Sequence, residues 1–455
     1  MAVLQNIWWY LVLIGVMILI HEAGHYLAAR LFDVKVETFS FGFGPRIWGF
    51  QHGETDFRIS AIPLGGYVKM TGEQYSGDVS DPKGTPANTP QGTPDPRALT
   101  SKPRWQRMIV AFAGPGVNIL LSVGLLAGLY MVYFPKVPNP NSPFVGFVVP
   151  DSAAAKAGVH LGDQIVQVDD MVDPTWEAIQ RHEAISPNHP MEVWVQRGSG
   201  KATERLHLTV TPKLDDKQGL GYAGWEQAED LTAADITKGM GADKAGLQKG
   251  DILLSVNGEQ LRSVSHLHQI EAETKGARLR LEVRRGTEVK AVSAVPIFAD
   301  SGGGSGKEKK WLLGLELRSR VEIVKLSFSA ALSESIRQNT ANARMIGQML
   351  QRMVQQRMPA RSLSGPIGMA KMSGDAAREG PFPFIYLMAA VSLNLAIFNL
   401  LPIPILDGGV MLMLFIEMLM RRDVDMKIKE TVLKVGFVFL MFVLVFALYN
   451  DISKG

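Results

Sequence analysis

His21-Glu22-Ala23-Gly24-His25 places three chemically active side chains inside an otherwise apolar run. Residues 7 to 20 carry no charge and the segment stays mostly apolar through Ala29, long enough for a helix to cross most of a bilayer's hydrocarbon core. On such a helix the two histidines sit four positions apart, about 6 Å along the axis, so both imidazoles leave from one face. Two neutral imidazoles at that spacing suit a zinc ion, and Glu22 can reach a water beside it as general base. His-Glu-x-x-His also arises by accident on soluble helices. Within a membrane segment, however, ionisable groups are expensive and usually functional. A zinc site that hydrolyses amides needs a third protein ligand and an open position for water, so the rest of the chain must supply that ligand.

The 455 residues are enough for several domains, and their 46% hydrophobic content is concentrated in a few blocks. Four candidate spans, about 7 to 29, 108 to 132, 383 to 401 and 432 to 449, make this a polytopic α-helical membrane protein. The absence of cysteine excludes disulfides, cysteine-ligated metals and thiol nucleophiles. A net charge of +3 discriminates little, but its placement does. Arg30, Lys35, Arg46, Arg58 and Lys69 follow the first span, Lys102, Arg104 and Arg107 precede the second, and Arg421, Arg422, Lys427 and Lys429 lie between the third and fourth. Together they put these loops in the cytoplasm and both termini and the long 133 to 382 segment outside. Basic residues this close to the membrane, without an aromatic-basic stripe, give no support for nucleic acid as a partner. The first segment lacks a basic n-region, which argues against a cleavable signal peptide.

The stretches between spans subdivide further. Residues 1–33 form the first helix with its motif. In 34–72, Phe39, Phe41 and Phe43 alternate with Ser40, Gly42 and Gly44, and Ile59 to Val68 forms a second extended run. These read as hairpin strands that dip into the membrane toward the metal site, offering an edge to an unfolded segment, or as an ordinary cytoplasmic hairpin on the headgroups. Residues 73–107, rich in Pro, Gly, Thr and Asp near their start, read as a flexible cytoplasmic loop, and 108–134 as the second span. There Ala113-Gly114-Pro115-Gly116-Val117-Asn118 permits close helix contact, and Asn118 stands either near the metal helix or in an interhelical hydrogen bond without chemical role.

Beyond a proline-rich exit at 135 to 143, the run Ala157-Gly158-Val159-His160-Leu161-Gly162-Asp163 recurs as Ala245-Gly246-Leu247-Gln248-Lys249-Gly250-Asp251. Such self-similarity means two copies of one module, 143–226 and 227–319. Each continues through a helix, near 174 to 184 and 263 to 274, into paired strands. The histidines of these modules, His160, His182, His189, His207, His266 and His268, show no metal spacing. A Gly/Ser-rich insertion at 301–306 interrupts the second copy. Residues 320–380 read as amphipathic helices, the first over 321 to 357, with a turn or clamp at Ser364-Gly365-Pro366-Ile367-Gly368.

The third transmembrane segment, 381–409, contains Asn394 and ends in Leu401-Pro402-Ile403-Pro404-Ile405-Leu406-Asp407-Gly408. Given the topology, Asp407 arrives at the depth of His21 and His25 on a proline-broken backbone. It reads as the third metal ligand, the alternative being a helix N-cap. Asn394 offers a donor and an acceptor, either to hold the backbone of a partly unwound substrate helix or to pack helices. Residues 410–430 form a cytoplasmic-side amphipathic helix and loop, with Glu417 at the surface, and 431–450 the fourth span.

The repeat resembles the PDZ domain, with Leu220-Gly221-Tyr222 and Leu313-Gly314-Leu315 following each module in the circularly permuted order of bacterial relatives. The whole assembly resembles the site-2 protease family of intramembrane zinc metalloproteases, above all its bacterial branch, through His21 to His25, Gly114 to Asn118, the tandem modules and Asn399 to Asp407. The resemblance implies one zinc per chain held by His21, His25 and Asp407, with Glu22 as catalytic acid/base. It implies substrate handling by Asn394, Pro402 and Pro404, and a membrane-reentrant sheet at Gly65-Gly66-Tyr67 that receives substrate. It implies a bacterial inner membrane location, the PDZ modules periplasmic and the active site toward the cytoplasmic half. It also implies regulated cleavage of single-span proteins, an anti-sigma factor after first-site cleavage and remnant signal peptides, with peptide C-termini as ligands of the modules. Two other readings stand beside it. One is an inactive membrane-anchored PDZ scaffold. The other is a metal transporter using the same three residues, against which the lack of an inverted repeat argues.

Overall fold

The computed structural model describes residues 2–72, 95–136, 143–198, 203–215, 220–300, 309–319, 322–355 and 365–454. The Gly/Ser-rich insertion at 301–306, the Pro/Thr-rich start of the 73–107 loop and most of the proline-rich exit lie outside them. The chain opens with α1 (Ala2–Leu31), β1 (Val36–His52), β2 (Thr55–Met70) and α2 (Arg104–Val132). Then come β3 (Phe134–Lys136), β4 (Val145–Val148), α3 (Ala153–Lys156), β5 (Gln164–Val168), β6 (Met171–Val172), α4 (Trp176–Ala184), β7 (Met191–Arg197), β8 (Glu204–Val210), β9 (Lys213–Leu214), β10 (Gly221–Tyr222) and β11 (Trp225–Gln227). A second series follows: β12 (Leu231–Ile236), α5 (Gly241–Lys244), β13 (Ile252–Val256), β14 (Glu259–Gln260), α6 (Val264–Thr274), β15 (Leu279–Arg285), β16 (Glu288–Ala294), β17 (Ile297–Asp300), β18 (Lys309–Leu312) and β19 (Leu315–Ser319). After β20 (Glu322–Val324) the chain is helical in α7 (Phe328–Val354), α8 (Pro366–Glu379), α9 (Pro381–Asn399), α10 (Asp407–Met420) and α11 (Met426–Lys454).

Two units result, one of Met1–Phe134, Lys325–Gly347 and Leu363–Gly455, the other of Pro135–Val324 and Gln348–Ser362. In the first, α1, α2, α9 and α11 are long and apolar enough to cross a membrane, the four spans that hydropathy predicts. Their ends differ from the expectation. α2 begins at Arg104, so Arg104 and Arg107, expected ahead of the span, belong to its first turns while Lys102 stays outside, and α11 extends past both predicted ends. The helix expected over 321 to 357 begins only at Phe328, because Glu322–Val324 is a strand.

Small residues let α1 and α2 touch: a β-carbon at Gly24 would lie 2.5 Å from the Ala113 carbonyl oxygen, the close backbone approach that glycine allows between membrane helices. Behind this contact Ser392 Oγ donates to the Asn118 carbonyl at 2.8 Å, and Ser335 Oγ of α7 donates to the Val123 carbonyl at 2.7 Å. Such bonds give buried hydroxyls partners where water is absent.

β1 and β2 form an antiparallel hairpin closed by Gly53-Glu54, with a doubled register. Phe39 faces Val68 on one side and Phe57 on the other, and Phe41 faces Gly66 and Ile59 likewise. The first half of β1 is therefore flanked on both sides, while the 66–70 stretch has a strand neighbour on one side only among the described residues. Gly42, at a φ of 91° and with no room for a β-carbon against the Ile62 carbonyl, allows the bend. The loop behind the hairpin is more ordered at its end than expected. Lys35 N–H donates to the Arg97 carbonyl at 3.0 Å, Leu99–Ser101 is a 3-10 turn, and Arg97 Nη1 reaches Glu54 Oε2 at 2.8 Å.

In the second unit the repeat extends from sequence to hydrogen bonds. Asp163, fully buried, accepts from the His160 N–H at 2.8 Å and from Arg197 Nε at 2.7 Å, while Arg197 Nη2 donates to the Gly158 carbonyl at 2.7 Å. Asp251 accepts from the Gln248 N–H at 2.8 Å and from Arg285 Nε at 2.7 Å, and Arg285 Nη2 donates to the Gly246 carbonyl at 2.9 Å. Each helix also sends one buried glutamate to the loop before the closing strand: Glu183 of α4 accepts from Ala223 N–H, Glu271 of α6 from Leu313 N–H. The counterpart of Leu313-Gly314-Leu315 is therefore Ala223-Gly224-Trp225 and not Leu220-Gly221-Tyr222. Ala154 N–H and Ala242 N–H bond to the Ala223 and Leu313 carbonyls in the same way. The sequence match misleads because a Leu-Gly pair also occurs at Leu220-Gly221, three residues ahead of Ala223-Gly224. Each module encloses its own core, one around Ile165, Ile179 and Val193 and the other around Leu253, Leu267 and Leu281.

Candidate metal centre

His21 and His25 are both buried on the C-terminal third of α1, and their rings lie edge to face with centroids 4.8 Å apart. Their Nε2 atoms are 3.2 Å from each other, and Asp407 brings Oδ2 to 3.2 Å from His21 Nε2 and Oδ1 to 3.5 Å from His25 Nε2. Ligands at zinc distances on a tetrahedron stand roughly 3.3 to 3.5 Å apart. The three groups come close to that spacing pairwise, Asp407 offering a different oxygen to each histidine, and they form the one cluster of metal-binding type among the described residues. Two ring nitrogens that both face a carboxylate at this separation are arranged for a cation between them.

α2 sets the rings. His25 Nδ1–H donates to the Val110 carbonyl at 2.8 Å, which leaves the Nε2 lone pair free. His21 Nδ1 is 3.3 Å from the Asn118 side-chain amide, and Asn118, with no exposed surface, has an Oδ1 that is otherwise without a partner. With the amide turned by half a rotation, Oδ1 accepts from the His21 Nδ1–H and Nε2 again faces the shared point. A ligating histidine needs this second hydrogen bond. Asn118 thus stands behind a ligand, close to the metal helix as one sequence reading has it.

α10 delivers the carboxylate. Its N-cap is Leu406, without a side-chain capping bond, and Asp407 is the first helical residue with its carboxylate turned to the histidines; the N-cap reading of Asp407 does not hold. Ile405, just ahead, has a φ of 88°, a strained conformation for a β-branched residue. Gly408 and Gly409 pack against the Leu400, Leu401 and Ile403 carbonyls with no space for side chains. At the other end of α10, Glu417 corrects the expectation of a surface residue. It is fully buried, its Oε1 lies 2.6 Å from Lys429 Nζ of α11, and it accepts from the Val424 N–H at 3.1 Å. Apolar neighbours in the sequence hid this pair, since neither partner's burial is a local property.

A cavity of about 470 Å³ opens on the cluster, lined among others by Glu22, Gly66, Tyr67, Arg107 and Asn399. Gly66 lies against Glu22, a β-carbon there meeting Glu22 Cγ at 3.0 Å. Tyr67 stacks on Phe43 and receives a hydrogen bond from Arg58. Gly65, at a φ of 145°, has the Phe43 ring where a side chain would be. The expected substrate strand and the expected metal ligands thus line one cavity. Asn394 does not: it is exposed on α9, and the same helix presents Leu395 and Asn399 to the cavity. Pro402 is exposed, and Pro404 packs on Gly436 of α11, whose β-carbon would lie 2.6 Å from the Pro404 carbonyl oxygen. Asn399 and Arg107 went unassigned in the sequence, the one only marking the start of a stretch that carries the resemblance and the other read only as a topological charge.

The pattern of peptidase family M50 matches residues 9–443. Protease RseP of Yersinia pestis is 30% identical over 470 residues, spanning 100% of both chains. The regulator of sigma-E protease RseP of Salmonella typhimurium is 28% identical over 470 residues and that of Haemophilus influenzae 28% over 468, each again spanning 100% of both chains.

Proposed function

This chain belongs to peptidase family M50, and from that premise we infer that it is an intramembrane zinc metalloprotease that hydrolyses peptide bonds in the membrane segments of single-span proteins. The observation that carries the reading is the meeting of His21, His25 and Asp407, the carboxylate within 3.5 Å of both rings, beside Glu22 in a cavity walled by membrane helices.

His21, His25 and Asp407 would hold a zinc ion, which would supply Lewis-acid chemistry toward the scissile carbonyl and water. The chain's own groups do the rest. Glu22 has no hydrogen-bond partner among the described residues and is free to take a proton from the attacking water and pass it to the leaving nitrogen. The C–N bond breaks, the hydroxyl remains on the carbonyl carbon, and the proton completes the amine. A helical substrate keeps its carbonyls hydrogen-bonded and screened, so it must first unwind. The open 66–70 edge of β2, as a membrane-reentrant sheet, receives the unwound segment by strand addition. Asn394, on the exposed face of α9, holds the backbone of the helix as it approaches, and Pro402 and Pro404 keep the Asp407 turn from closing into helix.

The protein then sits in a bacterial inner membrane with the cleavage site toward the cytoplasmic half. Relatives described as regulators of sigma-E point to an anti-sigma factor as substrate, after a first protease has acted, with remnant signal peptides as a second class. The two repeats are tandem circularly permuted PDZ domains on the periplasmic side that bind peptide C-termini or extended segments.

The test uses the full chain in detergent, with metal analysis alongside cleavage of a membrane-embedded peptide. Wild type holds one zinc and cuts; Glu22→Gln holds zinc and does not. A wild type that neither retains zinc nor cuts would favour the scaffold reading, and an active Glu22→Gln would remove Glu22 from the chemistry.

A further inference from the structure

Arg107 is the one lysine or arginine that lines the catalytic cavity among the described residues. It lies on α2 one turn before Val110, the residue whose carbonyl holds His25. It also lines a smaller cavity of about 30 Å³ that shares Ile405, Val410 and Leu414 with the larger one and reaches Glu417 and Lys429. Arg107 Nε is buried without a hydrogen-bond partner.

The carboxylates outside the metal centre that could neutralise it, Glu417 and Asp423, already have cations. Glu417 pairs with Lys429 at 2.6 Å and Asp423 with Arg104 at 2.7 Å, and Arg104 Nε is a further 4.0 Å from Glu417. That leaves a half-buried guanidinium with no ion pair among the described residues, in a cavity whose own carboxylates, Glu22 and Asp407, belong to the metal centre. A cation partly withdrawn from water without an anion is costly and persists where something completes it. Hydrolysis of a peptide bond creates one new anion in this cavity, the carboxylate of the acyl-side product. A guanidinium fork matches a carboxylate in shape and charge.

We propose that Arg107 is a product-carboxylate subsite: it binds the new C-terminus formed at the cut, and before the cut the carbonyl oxygens of the same stretch of substrate. This rests on the metalloprotease reading and adds a binding residue to its cavity. Arg107 gives the acyl product's carboxylate a partner in the cavity other than the metal centre.

The experiment is a binding comparison on the full chain in detergent, stripped of metal by a chelator so that zinc contributes nothing. Two copies of one apolar peptide are used, one ending in a free carboxylate and the other in an amide. Wild type binds the acid about tenfold more tightly than the amide or better, as a charge-assisted hydrogen bond implies. Arg107→Gln loses this preference, Arg107→Lys keeps part of it, and both take up zinc on reconstitution as wild type does, which reports an intact fold. Equal binding of the two peptides by wild type, or a preference that survives in Arg107→Gln, overturns the proposal. A failure of wild type to bind zinc would instead sink the metalloprotease reading, and the acid-against-amide comparison would still stand on its own.

Discussion

Gly114 of α2 lies directly over His25 of α1. A β-carbon at Gly114 would overlap His25 Nε2 and come within 2.8 Å of His21 Cε1. The second transmembrane helix is thus part of the metal centre through an absent side chain. Gly114→Ala is expected to fold, since alanine favours helix, but to push His25 off its position. Zinc affinity, read by competition with a chromophoric chelator, should fall by about 100-fold or more, beyond the usual range for altering a ligand's surroundings. Unchanged affinity would mean that α2 is not this close to the site.

Asn118→Ala removes the acceptor behind His21 and leaves its Nδ1–H buried without a partner, a loss of about 1 to 3 kcal/mol. Zinc affinity should drop about 10- to 100-fold, while Asn118→Asp, which keeps an acceptor oxygen, should hold zinc better than alanine. Equal affinities for the two variants would reduce Asn118 to an interhelical contact.

Glu417 and Lys429 tie the C-terminal end of α10 to α11, and α10 carries Asp407 at its other end. Removing one partner leaves a buried charge, which costs about 3 to 5 kcal/mol, whereas replacing both by apolar residues is far milder. Lys429→Met should therefore lower the thermal midpoint of the detergent-solubilised chain more than Glu417→Leu/Lys429→Met does. A double variant as unstable as the sum of its singles would show that the pair is not coupled.

Burial raises the Glu183 carboxyl to about 7, against the opposing effect of hydrogen bonds from Ala223 N–H and Trp225 Nε1–H. The folded module holds this proton more tightly than the unfolded chain. The associated stability is full below about 4.5, the ordinary value, and is lost as pH rises through about 7. Relative to Glu183→Gln, which cannot titrate, wild type should lose stability across that window by up to about 3 kcal/mol. Denaturation followed through the first module at pH 4 and pH 8 checks the sign, and parallel curves for the two proteins would contradict it.

Much of this protein is written locally. The i, i+4 histidines, the four apolar blocks and the repeated Gly-Asp runs each lie within one turn or one short window, so periodicity and hydropathy reveal them, and the predicted α4, α6 and paired strands of the modules fall within a few residues of those observed. Asp407 could be named because topology brought it to the right depth on a broken backbone. The sequence left its role divided between ligand and cap, and only the 3.2 Å approach to His21 decided it.

What the tertiary structure alone decided are relations between elements far apart in the chain. Asn118 behind His21, Gly114 over His25, Glu417 buried with Lys429, Arg107 facing the catalytic cavity and Asn394 turned away from it all depend on how one helix is rotated against another. A hydropathy window sees a helix's composition and not its rotation, because inside a bilayer apolar residues face lipid and protein alike. The polar residue that finds a partner and the one that faces outward look the same until the helices are packed.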